Sequence, residues 1–276
     1  MTDRKYEFLE AEDGAKIFYY RVLPAHPKGV VLISHGYGGH SGQYEHVISS
    51  LVDNGYAAYA YDHRGHGRSE AERGHADDFS VFITDLNKVV ASIKGEFPGV
   101  KLFTLGHSMG GLITFLYGIY QPGNVSGQIF AAPALTMPWG TAWIPRALFE
   151  LAGRYLGRVR IYPIVRRQSS RNVKYREDVA QDPLALHYAT VSFFTEFLQH
   201  GIRLAQSQAS KYQLPSLFLL GTEDKIIPYE PTLKIIERTA ALDKRVKLYP
   251  GLYHELLQEP EREQVIADIL TWLERR

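Results

Sequence analysis

The stretch VKLFTLGHSMGGLITFLYGIY, residues 100–120, decides the fold. Its first third is a short apolar run of strand length, and its last half is a longer apolar run of helix length with no proline. Between them stands GHSMGG, residues 106–111. A strand that feeds a helix through Gly-x-Ser-x-Gly predicts a sharp turn that lifts the Ser108 side chain over the sheet edge. Glycines at 106 and 110 are required there, because a Cβ would meet neighbouring strand and helix backbone. The five-residue pattern arises often by chance, and the strand–turn–helix context gives it weight.

The same alternation extends outward. Strand-like GVVLIS (29–34), AAYAYD (57–62), SGQIFAA (126–132), SLFLLG (216–221) and RVKLYP (245–250) are separated by helix-like runs, among them QYEHVISSLVDNG (43–55), FSVFITDLNKVVASIKG (79–95), EPTLKIIERTAA (230–241) and EQVIADILTWLERR (263–276). Continuous apolar strands separated by helices predict a mostly parallel sheet covered on both faces. Residues 5–23 read as an antiparallel hairpin around Asp13-Gly14. Between Pro133 and Pro215 the alternation stops. There Ile144, Leu148, Leu151, Tyr155 and Val159 recur at helical spacing, as do Val191, Phe194, Leu198, Ile202 and Ala205. We therefore expect an α/β core built from residues 1–133 and 213–276, with 134–212 as an inserted helical cap.

With 276 residues, 45% hydrophobic and 22% charged, the chain has the composition of one large globular domain. Its 31 basic and 30 acidic residues leave a formal charge of +1, which gives no field for nucleic acid and points to a small-molecule partner. No cysteine is present, so a thiol nucleophile and a thiolate metal site are excluded. The N-terminal MTDRKYEFLEAEDG has no apolar core of signal-peptide length, and no run is long enough to span a bilayer, so a cytoplasmic protein is expected. The Asn124-Val125-Ser126 sequon is then a chance match.

A serine hydroxyl needs a base to take its proton, and the base needs an acid to hold its tautomer. Most of the eleven histidines lie upstream of Ser108, and His254, in the turn after RVKLYP, is the candidate base. The acid is Asp224, at the end of SLFLLGTED, with Glu223 as the adjacent rival. The oxyanion of a tetrahedral intermediate needs two preorganised donors. By position these are the backbone N–H groups of Met109 and of Tyr37, in the loop His35-Gly36-Tyr37-Gly38-Gly39.

These residues sit in six ordered blocks: SHGYGGHSGQYE (34–45), YDHRGHGRSE (61–70), GHSMGG (106–111), DPL (182–184), GTEDKIIP (221–228) and YHELLQE (253–259). Together they resemble an α/β-hydrolase of the monoacylglycerol lipase and lysophospholipase family over nearly the whole chain. The resemblance implies an α/β-hydrolase fold, a serine esterase needing no cofactor or metal, Ser108, Asp224 and His254 as nucleophile, acid and base, and Tyr37 and Met109 as oxyanion donors. It also implies that His63, Arg64, His66 and Arg68 belong to a structural loop, and His35 and His107 to hydrogen-bonded scaffolding. The chain departs from the animal lipases at Gly39 and Gln43, where they carry glutamate and arginine. That departure bears on the alcohol side of the substrate.

The cap is rich in large apolar residues, of which Trp139, Trp143, Phe149 and Phe194 are candidate walls of an acyl tunnel. Its many arginines read in part as a solvated helix face, with Glu150 and Arg154 at i,i+4, and alternatively as a surface that rests on anionic lipid. The favoured activity is hydrolysis of monoacylglycerols through an acyl-enzyme. The alternatives are a general carboxylesterase, a lysophospholipase, a thioesterase, or a non-catalytic ligand receptor on the same fold.

Overall fold

The computed structural model describes residues 3–137, 141, 145–162 and 168–276. Strands β1 (Asp3–Glu10) and β2 (Lys16–Leu23) form the expected hairpin, with Glu10 opposite Lys16 and Gly14 at φ +86° in the turn. They are followed by β3 (Gly29–Ser34), β4 (Tyr56–Tyr61), β5 (Leu102–His107), β6 (Gly127–Ala131), the two-residue β7 (Arg160–Ile161) and β8 (Ala189–Thr190), β9 (Ser216–Gly221) and β10 (Lys244–Tyr249). All but β7 and β8 join one eight-stranded sheet in the order β1-β2-β4-β3-β5-β6-β9-β10. Every pairing from β4 to β10 is parallel, and β2 alone runs against its neighbours.

The helices are α1 (Glu45–Asp53), α2 (Ser80–Glu96), α3 (Met109–Tyr120), α4 (Arg146–Leu156), α5 (Val173–Gln181), α6 (Val191–Thr195), α7 (Arg203–Gln208), α8 (Tyr229–Glu237) and α9 (Arg262–Leu273). Among the described residues no helix is long and apolar enough to cross a membrane. Every residue of β3, β4, β5, β6 and β9 is buried, which is why these strands read as unbroken apolar runs. The two faces are nevertheless distinct. Val30 and Leu32 share a core with Leu86 of α2, Phe115 of α3 and Ile236 of α8, whereas Val31 and Ile33 share one with Ile48 of α1 and Trp272 of α9. The period of two inside a uniformly apolar strand thus distributes its side chains between two helical layers.

Strand β10 differs. It ends the sheet, and Val246 and Leu248 are each 41% exposed between Lys244, Arg245 and Lys247. Basic side chains on an open edge discourage pairing with another strand.

The chain between β6 and β9 carries α4 to α7. Its apolar spacing is read correctly as helical, but the face is not the buried one: Leu148, Leu151 and Tyr155 of α4 are 54%, 55% and 69% exposed. Ile144 lies outside the described residues. The second run is also not one uniform helix, because residues Glu196–Ile202, between α6 and α7, wind as a π-helix. Such widened turns recur at functional sites, and here Phe197 and Leu198 fall in it.

The turn between β5 and α3 is a close approach of backbone to backbone. A Cβ on Gly110 would lie 2.5 Å from the His35 carbonyl oxygen and closer still to that of Ser34, and one on Gly106 would lie 2.6 Å from the Gly110 carbonyl. Gly95, on the exposed side of α2, has nothing within 4 Å of such a Cβ. Gly110→Ala is therefore expected to cost about 1–3 kcal/mol by overpacking and to lower the thermal midpoint by several degrees. Gly95→Ala is expected to raise the midpoint slightly, through a gain of about 0.5–1 kcal/mol in helix preference. Thermal unfolding of the two variants followed by circular dichroism checks both signs.

Candidate active site

Ser108 sits between β5 and α3 with φ +51° and ψ −115°, a conformation that side-chain-bearing residues rarely adopt. Three bonds hold it. Its N–H donates to the Ala131 carbonyl at the end of β6, and its carbonyl accepts from Leu112 and Ala134, each at 3.0 Å. The half-buried side chain then projects over the carboxyl edge of the sheet.

Two further loops converge on that edge. After β9, Asp224 accepts at Oδ1 from the N–H groups of Ile226 (2.7 Å) and Ile227 (2.9 Å), a turn that a short carboxylate closes on its own backbone. Its Oδ2 is left for His254, whose Nδ1–H donates to it at 2.7 Å. After β10, the Glu223 N–H donates to the Leu252 carbonyl at 3.0 Å, stitching the acid's loop to the histidine's. On its other side, His254 Nε2 accepts from the Ser108 hydroxyl at 2.8 Å. The structure thus brings Ser108, His254 and Asp224 into one row. Glu223, the rival acid, is exposed and pairs with Lys225 at 2.6 Å.

Electrostatics favours this order. Burial alone would hold the His254 ring neutral, but the charge and hydrogen bond of Asp224, helped by Glu255, outweigh it and raise the ring above the ordinary histidine value. His107, beside it, is shifted the other way, because burial there prevails over Glu255. It is held between the Tyr44 hydroxyl on Nδ1 (3.1 Å) and the His254 carbonyl on Nε2 (3.3 Å).

The loop after β3 packs directly on Ser108: a Cβ on Gly36 would lie 3.3 Å from the Ser108 Cβ. The carbonyl of the Gly36–Tyr37 peptide accepts from His35 Nδ1–H at 2.8 Å and from the Gly39 N–H at 3.1 Å. Because the peptide unit is planar and trans, fixing its carbonyl also fixes the opposite direction of the Tyr37 N–H. His35 donates through Nδ1 because its Nε2 accepts from the His63 N–H at 2.9 Å. Burial keeps this ring well below the usual histidine range and pushes His63 and His66 down to about 3 and about 4, so all three hold their tautomers as neutral donors and acceptors. Met109 opens α3, where first-turn N–H groups have no partner within the helix. In the same block Arg64 is engaged by Asp85 at 2.7 and 2.8 Å and by Asp13 at 2.8 Å.

Ser108 and His254 open onto a cavity of about 250 Å³. Its apolar lining includes Leu186, Phe194, Phe197, Leu198, Ile226 and Ile227, and its polar lining Gln43, Ser169, Tyr175, Arg176 and Glu255. Of the predicted tunnel residues, Phe194 lines this cavity. Phe149 does not: it packs on the inner side of α4, where its carbonyl accepts from Thr195 at 3.1 Å, since the helix turns its other apolar residues outward. Trp139 and Trp143 lie outside the described residues. Sequence reasoning missed the walls supplied by Tyr175, Arg176, Leu186, Ile226 and Ile227. Ile226 and Ile227 had a signal, being the two residues that the Asp224 turn fixes, whereas the insert residues had none. The departures from the animal lipases both sit on the wall: a Cβ on Gly39 would lie 2.7 Å from Gln43 Oε1.

Comparison with known proteins agrees with this architecture. The family described as serine aminopeptidase, S33 matches residues 25–261. The monoacylglycerol lipase of Mycolicibacterium smegmatis is 33% identical over 264 residues, covering 94% of this chain and 93% of that protein. Human monoglyceride lipase is 32% identical over 253 residues, covering 91% and 84%. The crystal structure of the Paleococcus ferrophilus monoacylglycerol lipase superposes with a TM-score of 0.82 at 29% identity, covering 92% of this chain and 98% of that one. The chain belongs to the serine aminopeptidase S33 family, on the α/β-hydrolase fold.

Proposed function

We propose that this chain is a carboxylic-ester hydrolase of single-chain lipid esters, monoacylglycerols foremost, acting through Ser108, His254 and Asp224. The observation that carries the reading is the hydrogen-bonded row from Ser108 Oγ through the His254 ring to Asp224, with Ser108 and His254 lining a largely apolar cavity.

In this scheme Ser108 Oγ attacks the ester carbonyl carbon as its proton passes to His254 Nε2. The carbonyl oxygen becomes an oxyanion facing the N–H groups of Tyr37 and Met109, donors each worth about 10²–10³ in rate. Collapse breaks the bond to the alcohol oxygen, which takes the proton from His254 and leaves a Ser108 acyl-enzyme. Water, deprotonated by the same Nε2, then attacks the acyl carbon and releases the fatty acid and Ser108. Asp224 keeps its charge throughout and steadies the imidazolium. An acyl chain suits the apolar lining that includes Phe194, Phe197 and Ile226. The alcohol suits the side of Gln43, whose buried Nε2 has no partner among the described residues and would donate to a hydroxyl.

Residues 134–212 act in this reading as a cap on a core of 1–133 and 213–276. In support, β6 and β9 pair directly although the whole insert lies between them. The cap is also our candidate for contact with lipid: the outward face of α4 shows Leu148, Leu151 and Tyr155 beside exposed Arg146, Arg154 and Arg158.

Three outcomes are expected. Ser108→Ala abolishes hydrolysis of a panel of 1-monoacylglycerols and p-nitrophenyl esters and labelling by a fluorophosphonate probe, with the thermal midpoint retained; full labelling of the variant overturns the scheme. Activity requires neutral His254, whose pKa is raised, so kcat/KM falls with decreasing pH through an apparent value above 6.5. Asp224→Asn removes what raises it, so that limb moves to lower pH and the rate drops about 10⁴-fold. Finally, replacing Leu148, Leu151 and Tyr155 together by serine abolishes co-sedimentation with phosphatidylglycerol vesicles while hydrolysis of a water-soluble ester persists.

A further inference from the structure

The insert and the loop after β3 are joined by contacts that the reaction scheme leaves unused. Asp182, the residue that caps the C-terminus of α5, accepts at Oδ2 a 2.7 Å hydrogen bond from His40, and the two side chains are 23% and 8% exposed. The tautomer follows from the other ring nitrogen. Nδ1 of His40 accepts from the Gly42 N–H at 3.1 Å, so the proton is on Nε2 and points at Asp182. The carboxylate is itself set, because its Oδ1 accepts the Leu184 N–H at 2.8 Å. His40 in turn holds Asp182 below the usual carboxylate range, against the opposing effect of burial.

Nearby, the Leu186 N–H donates to the Gly38 carbonyl at 2.8 Å. Arg73 ties the same turn to the core, donating to the Leu184 and Gly67 carbonyls at 3.0 Å each. From Ser41 onward the loop is held by the core instead, through a 2.7 Å bond from the Ser41 N–H to Asp62. Residues 38 and 40 are thus fixed from the insert. The Gly36–Tyr37 peptide stands immediately before them, with its carbonyl bonded to the Gly39 N–H inside the clamped span.

We propose that Asp182 is a positioning residue for ester hydrolysis, which through His40 fixes the Gly36–Tyr37 peptide at the place where the oxyanion forms. The proposal rests on the assignment of the Tyr37 N–H as an oxyanion donor. Without the acceptor, the His40 ring loses its anchor to the insert, and the loop keeps the Leu186 tie to Gly38 and the His35 bond to the Gly36 carbonyl, so a donor aimed at a transition state moves by a fraction of an ångström. Displacements of this size are costly in rate while leaving ground-state binding almost untouched.

The experiment uses the full chain and a p-nitrophenyl ester together with its thionoester, in which sulfur replaces the carbonyl oxygen and accepts hydrogen bonds poorly. Asp182→Ala is expected to lower kcat for the ester about 10- to 100-fold with KM within about two-fold, and to lower the preference for ester over thionoester by a similar factor. Asp182→Asn keeps one accepting oxygen for the two donors that Asp182 satisfies, His40 Nε2–H and the Leu184 N–H, and is expected to lose less than Asp182→Ala; a loss equal to or greater than that of the alanine variant counts against the proposal. Asp182→Glu keeps the charge but moves the acceptor by one methylene, and it supplies the same readout if the alanine variant does not fold. Wild-type kcat in Asp182→Ala, or a loss shared equally by ester and thionoester, would overturn the proposal. Should the wild-type enzyme itself show no preference for the ester, the assignment of the Tyr37 N–H fails, and the proposal fails with it. Absence of any ester hydrolysis or fluorophosphonate labelling in wild type would instead refute the Ser108 reading.

Discussion

The edge of the sheet is organised by one close approach, in which the place a Gly110 Cβ would take is filled by the carbonyl oxygens of Ser34, the last residue of β3, and of His35. Because α3 begins so near that strand, the chain leaving β5 has no room for a relaxed turn, and Ser108 takes the strained conformation that raises its hydroxyl. Strain of this kind costs about 1–3 kcal/mol and persists only where the surroundings over-determine it. Here the surroundings are backbone bonds to β6 and to the residues that follow it, so the strain is held by the sheet itself. The loops after β3, β9 and β10 then need only to meet at a point already fixed.

The histidines around that point show how one side chain is given different tasks by its neighbours. His35, His63 and His66 are buried among one another and among aromatic rings, where desolvation and mutual repulsion both favour the neutral form. They are therefore fixed in tautomer, and they transmit orientation through directional bonds. His254 is equally buried but faces a carboxylate whose charge prevails. The difference lies in the partner, since depth of burial is common to both.

The core of the fold was legible because its signals are local. Apolar strands bounded by turns, a Gly-x-Ser-x-Gly between strand and helix, and an Asp-Gly hairpin are each set by neighbours in sequence, and Ser108, Asp224 and His254 each stand within five residues of a strand's end. Sequence position favours Asp224 over Glu223, but the reason, that the Asp224 side chain closes back on the Ile226 and Ile227 N–H groups and leaves its second oxygen to His254, is visible only in the structure. In the insert, periodicity gave helices but not their sides. The spacing of Leu148, Leu151 and Tyr155 is the same whether a stripe faces a core or the outside, and only tertiary placement decides. The cavity walls at Tyr175, Arg176 and Leu186 escaped for the same reason, and the π-helical turns shift Phe197 and Leu198 relative to a regular helical count.

The insert leaves the sheet at β6 and returns at β9, and these strands are hydrogen-bonded neighbours, Ala131 opposite Leu219. The pairing of β6 with β9 thus needs no residue of the segment between them, and in the cap reading proposed above that segment is a cassette that can vary without touching the strand ends that carry Ser108 and His254. The exchange has conditions. The buried carboxylate of Glu259, which accepts from Ser170 and Arg171 at 2.6 Å, and the ring of His40, which donates to Asp182, both reach from the core to residues of the insert. A replacement segment lacking a donor for the first or an acceptor for the second would leave a buried polar group unsatisfied, so these two bonds are conditions that any replacement must meet.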